Sequence, residues 1–119
     1  MGLLPKSGGT LTGTLTTNDV TFAGDNHNVV WDKSDNAFEF ADNAKISLGS
    51  GGDMQLYHDG NHTHLHDSGD GVIYLRTNML QVNNAANNQA MADFTTSSAR
   101  LYSGNSKKFE TTNTGVVVT

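Results

Sequence analysis

The sequence has no cysteine and only one proline, and it is poor in basic residues. Without cysteine the chain has no disulfides, no thiolate metal sites and no cysteine nucleophile. Only 7 Lys and Arg residues stand against 12 Asp and Glu residues, so the chain lacks the basic stripe that phosphate contacts require. We therefore predict that it binds neither nucleic acid nor an anionic membrane surface.

Apolar residues are also scarce, and no apolar run reaches the length of a signal peptide core or a membrane span. Hydrophobic residues make up 35% of the 119 positions, and 13 positions are glycine. This leaves little material for a closed core within one chain. The charged fraction of 16% is low for a disordered protein, and the apolar residues alternate in short runs. We expect folded strands whose thin core is shared between chains.

The short apolar runs recur as a unit of two strands joined by a polar turn and followed by a third strand. Three such units cover residues of about 27–50, 53–77 and 99–119. In each unit an aromatic residue ends the first strand and precedes the third strand by 14 or 15 positions. The three aromatic residues are Trp31, Tyr57 and Tyr102. Repetition at this scale predicts an elongated, stacked architecture.

The remaining segments also favour strands. Residues 1–17 form a turn-rich lead that ends in an alternating threonine-rich run at residues 10–17, a pattern typical of a strand. Residues 18–119 form the β-repeat module. Within it, residues 79–92 predict a strand, an asparagine-rich turn and a second strand that ends near Phe94, because four asparagines oppose a helix. The chain is therefore expected to be all-β.

Four segments carry a family resemblance: residues 4–13 (LPKSGGTLTG), 54–60 (MQLYHDG), 72–78 (VIYLRTN) and 101–119. The first resembles the opening of shaft modules in tailed-phage fibre proteins. The others resemble repeat elements in tail-fibre-like proteins of marine phages, notably cyanophages, in which the last element often precedes a self-cleaving intramolecular chaperone domain. Together, the segments and the two repeats in which they lie, 53–77 and 99–119, span about half of the chain.

The resemblance implies a structural virion component that is made in the bacterial cytoplasm and displays a host-adsorption apparatus. It implies a homotrimer, with strands of three chains intertwined as a β-helix or β-prism, and a host-surface glycan as the candidate ligand. Short strands with many free edges favour the same pairing between identical copies. The alternative is a single-chain β-solenoid or β-sandwich that binds carbohydrate. That alternative predicts burial within one chain of Leu56, Leu65, Ile73 and Val117.

Three histidines alternate along the second repeat. On a strand, His62, His64 and His66 share one face. Three chains around a threefold axis would offer several imidazoles to one Zn, Ni or Fe ion, which makes a metal-binding β domain a further hypothesis. The simpler interpretation leaves the histidines facing solvent on the polar side of a hairpin, with Leu65 turned inward.

The repeated aromatic residues also have two interpretations. Trp31, Tyr57 and Tyr102 could stack on sugar rings at an exposed face, or they could share one packing role, since they end corresponding strands. The sequence contains no nucleophile elbow, P-loop or dinucleotide fingerprint. The adjacent pairs His58-Asp59 and His66-Asp67 point to opposite faces of a strand, which is a poor match to a catalytic dyad. We therefore predict that the chain is not an enzyme.

Overall fold

The computed structural model describes residues 12–119, and all regular structure in this range is β. Its strands are β1 (Val20–Phe22), β2 (Val29–Asp32), β3 (Ala37–Phe40), β4 (Ile46–Leu48), β5 (Met54–His58), β6 (Thr63–Asp67), β7 (Met79–Asn83), β8 (Ala90–Thr95), β9 (Ala99–Ser103), β10 (Ser106–Thr112) and β11 (Gly115–Val118). The predicted all-β class is confirmed for these residues. None of them belongs to a helix that could span a membrane.

The strands form three small antiparallel sheets, distributed over two units of the chain. In the first unit, Met1–Ile73, the first sheet has the order β1-β2-β3 and the second sheet has the order β4-β5-β6. In the second unit, Tyr74–Thr119, the third sheet has the order β11-β10-β9-β8-β7. Each sheet is a meander of sequence neighbours, and no closed solenoid forms within the described range. The predicted strand–turn–strand of residues 79–92 is confirmed as β7 and β8.

Turn residues set the hairpins that the sequence predicts. Between β2 and β3, one carboxylate oxygen of Asp32 accepts the N–H groups of Ser34 and Asp35 at 2.7 and 3.1 Å. Between β9 and β10, Gly104 and Asn105 both have positive φ, at 56° and 60°. Two successive left-handed residues make a two-residue hairpin turn whose twist matches that of the flanking strands. Glycine and asparagine are the residue types that accept this conformation most readily.

Two predicted strands do not form within a single copy. Residues 72–75 pair with no strand of the described chain, and neither do residues 12–17 of the threonine-rich run. Alternating apolar residues favour extended backbone, but a strand also needs a partner for its N–H and C=O groups, and no described residue supplies one. Residues 1–11, which include most of the lead motif, lie outside the described residues.

The third strands of the repeats also pair differently. In the third repeat, β11 pairs with β10 of its own hairpin. In the first repeat, β4 pairs instead with β5 of the following hairpin. The repeats therefore share the hairpin, and they differ in the strand with which the third strand pairs.

The described residues enclose almost no core. Ala44 is their only buried hydrophobic residue, and Asp93, with 2% exposure, is their only buried polar or charged residue. In the first unit, strands make substantial contact only with their neighbours in the same sheet. Each sheet is thus a single layer, and its two faces decide what it can bind.

Candidate functional site

The first sheet separates apolar and polar residues between its two faces. Its register places Val20, Trp31 and Phe38 opposite one another in one row. Phe22, Val29 and Phe40 form the row two residues further along the strands. Because side chains alternate along a strand, these two rows share one face. That face consists of Val20, Phe22, Val29, Trp31, Phe38 and Phe40. Phe22 and Phe38 are more than half exposed, so the face is open.

The second sheet repeats this division. Ile46, Leu56 and Leu65 lie opposite one another in one row, and Leu48, Met54 and Asp67 lie in the next row on the same face. The opposite face carries Ser47, Gln55, Tyr57, His64 and His66. Leu65 lies on the apolar face, as the simpler interpretation of the histidines expects. It remains 47% exposed, however, because nothing described covers it.

The third sheet has the largest apolar face, and a β-bulge maintains it. The register shifts between Lys107 and Phe109, so that Lys108 is an extra residue in β10. The shift leaves Lys107 beside Tyr102 on the polar face while Phe109 lies opposite Leu101 on the apolar face. The apolar face comprises Leu80, Val82, Ala92, Phe94, Ala99, Leu101, Phe109, Val116 and Val118, together with Thr111.

No described residue of the same chain covers these three apolar faces. Single exposed apolar residues are ordinary on protein surfaces, but contiguous apolar faces mark places where another surface binds. The opposite face of each sheet is mostly polar, although Val30 and Val117 also lie there. The sheets therefore present one side for packing and one side for solvent.

A groove of about 520 Å³ lies over the apolar face of the first sheet. Leu15 approaches from the segment before β1, and the floor includes Val20, Phe22, Trp31 and Phe38. The Trp31 and Phe38 rings are 5.0 Å apart at an interplanar angle of 54°. Trp31 thus contributes its ring to an apolar groove within the sheet.

The hairpin of β5 and β6, with its turn at residues 59–62, is termed here the histidine hairpin. The Nε2 atom of His64 lies 2.7 Å from Oδ2 of Asp59, and its ring stacks on Tyr57 with centroids 4.6 Å apart. The other Asp59 oxygen accepts the backbone N–H groups of Asn61 and His62 at 2.8 and 2.7 Å. The hydrogen bond from His64 and those two from the backbone lower the pKa of Asp59 to about 2.

A second imidazole–carboxylate pair joins the histidine hairpin to the segment between the first two sheets. The Nδ1 atom of His58 lies 2.9 Å from Oδ1 of Asp42 and 3.1 Å from the backbone nitrogen of Gly60. Nδ1 can donate to the carboxylate or accept the amide proton, but it cannot do both at once. The neighbouring N–H of Asn43 donates to the His58 carbonyl at 2.7 Å. His58 therefore helps to fix the orientation of the connecting segment.

The predicted metal ligands do not converge within one chain. His64 and His66 share a face of β6, but His62 lies edge-on to His64 with ring centroids 6.4 Å apart, and His64 is already bonded to Asp59. Of the described residues, only Asp32, Asp35 and Glu39 bring three possible metal ligands together. Asp32 is already bonded to the following turn, and its hydrogen bonds from Ser34 and Asp35 lower its pKa. A histidine metal site thus requires several copies and stays a prediction.

The three repeated aromatic residues lie in three different sheets but not on equivalent faces: Trp31 is on an apolar face, whereas Tyr57 and Tyr102 are on polar faces. Each lies directly opposite a residue of the following strand: Phe38 for Trp31, His64 for Tyr57 and Lys107 for Tyr102. The Tyr57 ring also lies 4.6 Å from the Lys45 ammonium group. The three contacts differ in kind, so the structure does not show one shared packing role. The sugar-stacking role stays a prediction.

Sequence reasoning missed the one buried charge. Asp93 in β8 accepts hydrogen bonds from Nε of Arg100 at 2.6 Å and from the hydroxyl of Tyr102 at 2.8 Å. Burial of Asp93 favours its neutral form, but the hydrogen bonds from Tyr102 and Arg100 outweigh it and lower the pKa. The shared hydrogen bond raises the pKa of Tyr102. An acid between the apolar residues Ala92 and Phe94 was the available signal in the sequence.

Comparisons of the chain with protein-family models, curated proteins and solved structures found no match.

Proposed function

We propose that the chain is a structural module of a phage tail fibre or a similar virion appendage, in which three copies pack through their apolar sheet faces. Its role is mechanical: it extends and displays the apparatus that adsorbs to the host, and it has no catalytic step. The phage assignment is supported by the resemblance of the repeat elements. The assembly is supported by the three exposed apolar faces on sheets that enclose almost no core.

Burial of these faces supplies a sufficient driving force for association. Side chains such as Leu, Val and Phe gain about 1.5–3 kcal/mol when they are fully buried. Those on the three faces are roughly half exposed, so each retains about 1 kcal/mol of unused burial. More than ten such side chains per chain match the roughly 4–15 kcal/mol that association costs. Three identical copies also bring identical faces together, as closed symmetric assemblies do.

The single-chain alternative makes a prediction that the structure contradicts. A solenoid or sandwich buries Leu56, Leu65, Ile73 and Val117 within one chain, whereas all four are at least 39% exposed. The described sheets also lack a second layer in the first unit. A carbohydrate-binding module built from one chain is therefore the weaker proposal. A host glycan remains the candidate ligand of the assembled fibre.

The apolar face of the third sheet provides a matched test of assembly. Val116 and Val117 are neighbours in β11 with exposures of 57% and 43%, but they lie on opposite faces, beside Thr111 and Glu110. We expect light scattering to give the mass of three chains for the unaltered protein and to give a smaller mass for Val116→Asp. Val117→Asp should keep the larger mass, since its carboxylate faces the polar side.

An unboiled SDS gel gives a second measure of the same assembly. A band of three chains that persists for the unaltered protein and for Val117→Asp, but not for Val116→Asp, supports packing through the apolar face. A monomeric mass for the unaltered chain contradicts the proposal. Equal loss of mass in both variants contradicts the assignment of the interface to one face.

A further inference from the structure

The turns that follow β6 and β10 have the same length and the same glycine. Ser68 and Gly71 bracket two residues after β6, as Thr112 and Gly115 bracket two residues after β10. With the two glycines aligned, residues 72–75 correspond to residues 116–119, most of which belong to β11. The two segments nevertheless differ, because β11 folds back on β10 whereas residues 72–75 form no ladder in the described structure.

The two turns differ in their hydrogen bonds. The Thr112 hydroxyl accepts the N–H of Thr114 at 3.3 Å and donates to the carbonyl of Gly115 at 3.1 Å, which closes the turn onto β11. The equivalent Ser68 hydroxyl donates instead to the carbonyl of Asp53, at 3.1 Å, on the β5 side. The Ser68 turn thus lacks the bond that closes the Thr112 turn, and residues 72–75 form no ladder with β6.

Residues 72–75 have the properties of a strand except for a partner. Val72, Ile73, Tyr74 and Leu75 are β-branched, aromatic or aliphatic, and they are 70%, 39%, 75% and 60% exposed. Their backbone groups make no hydrogen bonds to other backbone groups of the described chain. Backbone N–H and C=O groups beside apolar side chains are normally paired, since their burial without partners is costly.

The outer edge of β6 carries the matching unpaired groups. The ladder bonds from Ser68 N–H to Asp53 and from Asp59 N–H to His62 show that the even-numbered residues of β6 bond inward to β5. The N–H and C=O groups of Thr63, Leu65 and Asp67 therefore point outward. No described strand pairs with this edge.

We propose that residues 72–75 pair with the outer edge of β6 in a second copy of the chain, as an exchanged third strand. One chain carries both the strand and the edge, and the two do not meet within that chain. Exchange of an identical element between copies satisfies both without any new surface. This inference rests on the proposed assembly of identical copies and identifies which backbone groups join them.

The third repeat supplies the register of the exchanged strand. Phe109, Glu110 and Thr111 lie opposite Val118, Val117 and Val116, and the hairpins align Leu65 with Phe109. The corresponding pairs in the exchange are Tyr74 with Leu65, Ile73 with His66 and Val72 with Asp67. The third repeat gives only the spacing, because the bulge at Lys108 turns Glu110 towards β11, whereas His66 in the regular β6 bonds inward to β5. His66 with Ile73 is therefore a non-hydrogen-bonded pair, in which the Cα atoms of antiparallel strands lie about 4.5 Å apart. That distance suits a disulfide.

Introduced cysteines test the exchange without background, since the chain has none of its own. Chains carrying only Ile73→Cys are co-expressed with tagged chains carrying only His66→Cys, and the mixture is oxidised. We expect a disulfide-linked species of two unlike chains on a non-reducing gel. Replacing His66→Cys by Leu65→Cys moves the thiol to the other face of β6 and should lower the yield by about tenfold or more.

Hydrogen exchange on the unaltered chain provides a second measurement that needs no variant. In the assembled protein, the amides of Val72 and Tyr74, which face the β6 edge, should exchange at least about tenfold more slowly than in Val116→Asp, the variant designed to be monomeric. Fast exchange of these amides in an assembled protein contradicts the strand exchange and leaves the assembly intact.

The outcomes separate this inference from the proposed function. An assembled mass without the unlike-chain disulfide overturns the exchange alone. A disulfide that forms only when Ile73→Cys and His66→Cys are in one chain also overturns it, since the strand then folds back within its own copy. A monomeric mass overturns the proposed function, and the exchange with it.

Discussion

At the residue scale, the polar faces are organised by two carboxylates that differ in exposure. Asp93 is buried beneath Arg100 and Tyr102, whereas Asp59 lies in a turn and bonds His64. Both accept several hydrogen bonds, and both have lowered pKa values. Hydrogen bonds to the charged form favour ionisation, so each carboxylate helps to hold its hairpin at neutral pH.

The Asp59 interaction predicts how stability depends on pH. Its pKa falls from 3.8 to about 2 on folding, so its contribution is complete above the unfolded value and is lost as the pH falls through the folded value. We expect the melting temperature of the unaltered chain to fall between about pH 4 and pH 2 more steeply than that of Asp59→Asn, as measured by circular dichroism.

A matched control isolates this effect from general acid denaturation. Asp25 lies in the same unit, and its carboxylate makes no hydrogen bond within the described residues. Asp25→Asn should therefore retain the steep acid dependence of the unaltered chain. Equal acid slopes for Asp59→Asn and the unaltered chain contradict the assigned role of Asp59.

Much of this residue-level organisation was not readable from the sequence. The turns were, because glycine, asparagine and aspartate have specific backbone and hydrogen-bonding preferences at Asp32, Gly104 and Asn105. The alternation of His64 and His66 also predicted their shared face. The bonds of Asp93 could not be predicted, because they depend on the register of β8 and β9, and the sequence does not state which strands are neighbours.

At the element scale, the bulge in β10 keeps polar and apolar residues on separate faces. Side chains alternate with a period of two, so a regular strand without the bulge would carry Lys107 and Phe109, two residues apart, on the same face. The extra residue changes the phase once, within the strand. The phase of β10 in turn places Glu110 beside Arg100 and Val117.

Insertion of one alanine after Lys108 tests this arrangement. The insertion changes the phase a second time and moves either Lys107 onto the apolar face or Phe109 onto the polar face, so we expect it to destabilise the protein by about 1–3 kcal/mol. Urea denaturation at one fixed protein concentration measures the change. Deletion of Lys108 makes Lys107 and Phe109 adjacent, which keeps them on opposite faces, and it should remain within about 0.5 kcal/mol of the unaltered protein. Equal stability of the insertion and the deletion would show that the phase of β10 is dispensable.

The same scale shows why strand predictions failed at residues 12–17 and 72–75. Alternation of apolar and polar residues indicates that a segment can form a strand. That was sufficient to predict the hairpins, because the two strands of a hairpin are adjacent in sequence. A third strand has several edges to choose from: β4 takes β5, and β11 takes β10. Alternation contains no information about that choice, because every free edge offers the same backbone groups.

At the scale of the whole molecule, folding and assembly are proposed to be one process. Sheets with one apolar side gain most of their burial only when copies meet, so the folded state depends on protein concentration. The sequence predicted this from its low apolar content before any face was known. It could not predict which faces would be exposed, since that follows from the register of each sheet.

The melting temperature should accordingly rise with protein concentration. For three associating chains we expect an increase of about 2–5 °C for each tenfold increase in concentration. Differential scanning fluorimetry over a hundredfold range of concentration would measure it. Val116→Asp should show a weaker dependence. A melting temperature that is independent of concentration would contradict coupled folding and assembly.

The single-layer construction of the sheets has a consequence for how such a chain changes over generations. In the first unit the two sheets share no packed interior, so a duplication or loss of one hairpin opens no cavity in the other. Substitutions in one sheet should likewise have effects that add to those in the other. Recombination can therefore change the length of the molecule more readily than its other properties. It adds or removes whole repeats, and the residues that each remaining repeat needs in order to fold stay the same.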